Sequence, residues 1–121
     1  MAYTRSDGDM IAVPFGNNNI EQGQLVTVDT STGNAKAGEP SGKPFLGVAD
    51  ESTADLTTNT IKIRTEGVFQ FSVDSAVASD LGKMVQVSNP TTVTKSVSSS
   101  YPVIGQIVEI VDNKTVMVKL K

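Results

Sequence analysis

Apolar and polar residues alternate along this chain with the period of two that half-buried β-strands require, and long stretches of helical period are absent. Leu25–Asp29 places Val26 and Val28 on one face. Residues 61–64 set Ile61 and Ile63 against Lys62 and Arg64, and residues 68–73 continue with Phe69, Phe71 and Val73. Val85 and Val87 form another pair, residues 104–111 a longer apolar strand, and Val116, Val118 and Leu120 alternate against Met117, Lys119 and Lys121. Ile11, Val13 and Phe15 predict a weaker strand near the start. Pro14 interrupts it and, having no amide proton to give a ladder, suits a sheet edge.

Turn chemistry separates these segments. Residues 30–44 (TSTGNAKAGEPSGKP) read as a Gly/Pro loop and residues 88–102 (SNPTTVTKSVSSSYP) as a Ser/Thr-rich one. Residues 50–59 are polar, with at most one helical turn over 52–56; residues 77–81 predict another, with Ser75 as its cap. Asp112, Asn113 and Lys114 make a tight hairpin turn between the last two strands. Gly67 breaks an otherwise continuous strand in Thr65-Glu66-Gly67-Val68-Phe69, which marks it as a structural glycine at a bulge or bend.

The two halves of the chain look alike. Gly23-Gln24-Leu25-Val26-Thr27-Val28-Asp29 matches Gly82-Lys83-Met84-Val85-Gln86-Val87-Ser88. A Gly/Pro/Ser loop follows each, then Leu46-Gly47-Val48 or Ile104-Gly105-Gln106, then Ile61-Lys62-Ile63 or Val116-Met117-Val118. Each unit alone would expose an apolar face that the other can bury. The expected fold is all-β, a small barrel or sandwich of two similar three-strand halves. Residues 20–121 form one domain, with the pseudo-repeat at 20–74 and 75–121, behind a flexible N-terminal arm at residues 1–19.

Composition narrows the chemistry. The 121 residues suit one domain. With no cysteine and no histidine, disulfides, thiolate zinc sites and imidazole bases are excluded. A net charge of −3, with scattered lysines and arginines, argues against a nucleic-acid partner. No apolar run approaches the ~18 residues of a membrane span, and MAYTRSDGDM lacks the apolar stretch of a signal peptide. These features predict a soluble protein made inside the cell, with no membrane partner.

The motifs that hint at chemistry each fail on spacing. Gly38-Glu39-Pro40-Ser41-Gly42-Lys43-Pro44 resembles a phosphate loop, but three residues part its glycines and Pro44 stands where a magnesium-binding hydroxyl is needed. Asp7 with Asp9, and Asp50 with Glu51 and Asp55, offer oxygen ligands without the spacing of a calcium loop. Ser98, Ser99 and Ser100 have no histidine to activate them, and the sequon at Asn113 lacks a secretory context. No catalytic, cofactor-binding or metal-binding residue is predicted, and no cofactor. Residues 1–19 are polar and rich in Gly, Asp and Asn, with Met10, Ile11, Val13 and Phe15 as their apolar cluster. Such a segment is either a frayed terminus or an arm that orders on a partner through those four residues.

The succession of these elements is itself informative: a polar arm, Ile20-Glu21-Gln22-Gly23-Gln24-Leu25-Val26, Phe45-Leu46-Gly47-Val48-Ala49, Glu66-Gly67-Val68-Phe69, Leu81-Gly82-Lys83-Met84-Val85, Ile104-Gly105 and a closing Val-x-Val-x-Leu at residues 116–120. This order, running through nearly the whole chain, resembles the capsid cement, or head decoration, proteins of tailed phages. The resemblance implies a barrel-like, non-enzymatic subunit made in the host cytoplasm. In the virion it would bind the outer surface of the expanded capsid, often at local three-fold positions, and stabilise it against internal DNA pressure. The implied partners are the major capsid protein and other copies of the chain, a trimer foremost. Alternatives are another phage assembly component, such as a tail or adaptor protein, and a ligand-binding β domain, for which only Tyr3 and Tyr101 offer stacking platforms.

Overall fold

The computed structural model describes residues 10–39, 44–98 and 101–120. Ten strands account for about half of them: β1 (Met10–Pro14), β2 (Leu25–Asp29), β3 (Asn34–Ala37), β4 (Phe45–Ala49), β5 (Thr60–Arg64), β6 (Val68–Ser72), β7 (Met84–Asn89), β8 (Thr92–Thr94), β9 (Gly105–Asp112) and β10 (Thr115–Leu120). Two short 3₁₀ turns lie at Thr53–Asp55 and Ala78–Asp80. The alternating segments all become strands because each has one face to bury. β3 and β8 fall within the stretches read as loops. Each is short and carries a single fully buried side chain, Ala35 or Val93, too little for a period to register.

The strands form a five-stranded sheet, ordered β1-β5-β4-β2-β3, and a closed barrel, ordered β10-β6-β8-β7-β9. Read from β6, the barrel runs β6-β10-β9-β7-β8, the order of the first sheet strand for strand. Each half thus has five strands among the described residues, two more than alternation alone indicated.

The halves differ in closure, and one residue explains how. The barrel closes where β6 meets β8 in parallel at Ser72 and Thr92, with the Ser72 N–H donating to Thr91 O at 3.1 Å. Pro14 occupies the place of Ser72, since each is the last residue of its strand and pairs with the first residue of its antiparallel partner strand, Thr60 or Thr115. Proline has no N–H to donate, so the first sheet stays open there. The Asn18 side chain bridges the gap instead, its Nδ2 donating to Ala35 O at 2.9 Å.

Glycine is obligatory where the central strands cross. A Cβ on Gly47 would strike the carbonyl oxygen of Arg64, and one on Gly105 that of Lys119, the equivalent residue of the other half. Two apolar clusters fill the halves. The first gathers Phe15, Ile20, Val26, Ala35, Ala49, Ile61 and Ile63. The second fills the barrel with Phe71, Val85, Val87, Val93, Ile107, Val116 and others, and it also takes in Leu25 and Val48 from the first half. The Leu25 N–H donates to Pro90 O at 2.8 Å, so the first sheet is joined to the barrel by backbone as well as by side chains.

Candidate interaction surfaces

The arm cluster divides at Met10. Residues 1–9, with Asp7 and Asp9, lie outside the described residues. Met10–Pro14 is β1, paired along its whole length with β5 at the edge of the first sheet. Alternation turns Ile11 and Val13 onto the first core, and Phe15 is buried in it. Asn59 clamps the next residue: its Nδ2 donates to Gly16 O at 3.0 Å, its Oδ1 accepts the Gly16 N–H at 3.2 Å, and its carbonyl accepts the Phe15 N–H at 3.2 Å. Sequence reasoning grouped Met10, Ile11, Val13 and Phe15; the first three lie on β1, and Phe15 follows its end. Three of them face inward, which leaves Met10 partly exposed, Ala12 and Pro14 exposed, and the outer backbone edge of β1.

Gly67 stands between β5 and β6, with φ +124°, where the chain passes from one half to the other. Its carbonyl accepts the Leu120 N–H at 2.9 Å, so the bend is tied to the end of the barrel.

Two buried polar residues organise the barrel rim, and neither was singled out from sequence. Gln86 is 1% exposed. Its Nε2 donates to Ser98 O at 2.7 Å and Tyr101 O at 2.9 Å, and its Oε1 accepts the Ser98 N–H at 2.9 Å. It thereby holds both ends of the loop around residues 99–100, which lie outside the described residues. Asp80 is 2% exposed and receives Lys95 Nζ at 2.7 Å, Lys83 Nζ at 2.9 Å and the Val77 N–H at 2.9 Å. The Lys95 ammonium first, then the Val77 amide and Lys83, hold its carboxyl well below the usual carboxylate range. Asp80, not Ser75, therefore caps this turn, with Val77 as the capped residue. The only sequence signal was an acid three residues after the turn begins.

Two of the carboxylates that suggested calcium, Asp50 and Glu51, are engaged elsewhere. Asp50 pairs with Arg64 Nε at 2.7 Å, and Glu51 accepts the Lys62 N–H at 3.0 Å. Among the described residues, no group of three or more His, Cys, Asp or Glu is placed to hold a metal. Of the phosphate-loop candidate, residues 40–43 lie outside the described residues, and the Gly38 N–H is spent on Leu25 O at 2.7 Å.

On the barrel's outer wall Met84, Gln106, Lys119 and Val68 are successive neighbours across β7, β9, β10 and β6. Met84 lines an open groove there with Glu66, Gln106 and Lys119. Among the described residues, this surface carries no reactive constellation.

A family model for phage cement protein matches residues 5–121. The chain belongs to the phage cement proteins. Comparison with curated proteins gives no match. Membership of a cement family assigns a structural, capsid-stabilising role and a place on the virion capsid. In the geometry, buried polar groups pin loops, and the open surfaces are a mixed row of apolar and polar side chains and a strand edge.

Proposed function

We propose that this cement protein, made in the host cytoplasm, binds the outer face of the shell on the major capsid protein, as a homo-oligomer of three copies. Its contact runs through the N-terminal segment, residues 1–19, of which Met10–Pro14 is strand β1 of the first sheet. Met10, Ile11, Val13 and Phe15 root that segment at the capsid-facing edge. What supports this reading is the position of β1. It is a short edge strand with a ladder partner on one side only. A capsid strand laid along its free side gains main-chain hydrogen bonds without disturbing the core.

Deleting residues 2–9 leaves β1 whole, so the melting curve should stay that of the full chain. Co-sedimentation with undecorated capsids should fall. Equal binding by the truncated chain overturns a contact through residues 2–9 and leaves the free edge of β1, or the loops at residues 30–44 or 88–102, to carry it.

A further inference from the structure

The two halves present the same row of positions, and only one of the two rows is covered. In the first half Leu25, Val48, Arg64 and Met10 are successive neighbours across β2, β4, β5 and β1. Their equivalents in the barrel are Met84, Gln106, Lys119 and Val68. Leu25 and Val48 are 0% and 2% exposed, set into the core of the other half. Met84 and Gln106, at the corresponding positions, are both exposed, Met84 by 49%.

The receiving side is doubled as well. Leu25 donates its N–H to Pro90, in a turn where Asn89 Oδ1 accepts from the Thr91 N–H at 3.0 Å and its hydroxyl at 3.2 Å. The β2–β3 turn has the same construction: Asp29 Oδ1 accepts from the Ser31 N–H at 3.0 Å and its hydroxyl at 2.7 Å. Thr30 therefore stands where Pro90 stands. Beside Pro90, Gly23 meets Ser72, Thr91 and Thr115 across the cleft between the halves. The equivalents Pro14, Ser31 and Thr60 are all exposed.

We propose that the row of Met84, Gln106, Lys119 and Val68 docks on the β2–β3 turn of a second copy of this chain, repeating between chains the contact that joins the halves within one. The inference rests on the reading that copies associate, and it names the faces that do so. The chain itself displays such a row seated on such a turn, so a second copy carries a receptor of matching construction. Because the two patches differ and every chain has one of each, the contact is heterologous and can close a ring. That ring holds twice as many near-equivalent units as chains. Gln106 in place of Val48 makes the outer row more polar than the inner one, as suits a face that meets water before it docks.

The chain has no cysteine, so single thiols report cleanly. Met84→Cys and Thr30→Cys are prepared separately, checked for native circular dichroism, mixed and oxidised, while sedimentation reads the association of the unmodified chain. The expected result is an associating protein and a disulfide-linked pair joining position 84 of one chain to position 30 of another. Each variant alone should give about tenfold less dimer or lower still, and Met84→Glu should weaken association by at least about tenfold with an unchanged melting temperature. An associating protein without the 84–30 link, or one in which Met84→Cys links mainly to itself, overturns the assignment of faces while association stands. A protein that sediments as a monomer overturns both. Capsid binding is measured apart from either, so its failure would not be confused with these.

Discussion

At the scale of single residues, backbone angle and charge are what this fold spends its exceptions on. Gly67 holds φ at +124° at the junction of the halves, a region L-residues rarely adopt. Gly67→Val should cost roughly 1–3 kcal/mol, because a β-branched side chain resists that angle. An unchanged denaturation midpoint would show that the junction can relax. Asp80 carries the other exception, a carboxylate almost wholly buried between two ammonium groups. Its folded-state pKa is lowered, so its contribution is fully present above the unfolded carboxylate value of about 4 and is lost as pH falls through the folded value. Acid titration of the melting temperature should therefore show stability declining below about pH 4, and Asp80→Asn should flatten that decline. Identical acid profiles for the two proteins would place the pH sensitivity elsewhere.

At the scale of strands, closure of the barrel hangs on a short parallel contact. β6 and β8 share one residue pair, and Ser72 supplies the N–H that ties β6 to the β7–β8 turn. Ser72→Pro copies into the barrel the residue that leaves the first sheet open at Pro14. It should cost about 3 kcal/mol or less and expose the amides of β8, which amide hydrogen exchange at residues 92–94 would report. Protection equal to that of the unmodified chain would mean that side-chain packing alone keeps the barrel shut. The rim loop is governed differently. There Gln86 reaches across to Ser98 and Tyr101, whereas its counterpart Thr27 has a buried Oγ1 with no hydrogen-bond partner among the described residues. The longer amide side chain fixes a loop that the shorter hydroxyl cannot span.

At the scale of the molecule, the halves share a core. Leu25 and Val48 sit in the barrel's apolar cluster, so neither half is complete alone. Leu25→Ala should lower stability by about 2–5 kcal/mol, the range for a leucine removed from a packed interior. Calorimetry of that variant should still show one transition, because the lost contact belongs to both halves. Two separated transitions would show the halves to be independent units that merely touch.

How much of this was legible differs by level. Period-two alternation identified the longer strands because a strand with one buried face must carry apolar residues at every second position, whatever it packs against. The likeness of residues 23–29 to residues 82–88 was legible for the same reason, and it falls on β2 and β7, which hold the same place in their sheets. The sequence of elements likewise led to the cement family. β3 and β8 were hidden because short strands with one buried side chain leave no period to read. The Lys95 arm of the clamp at Asp80 and the clasp at Gln86 were hidden because those partners lie 12–15 residues away across a turn. Nor does local pattern separate Leu25 from Met84, which follow the same Gly-x step into the same kind of strand. Burial of the one and exposure of the other depend on which face of each half the remaining half covers. That is a property of how the two sheets dock, and only the tertiary structure decides it.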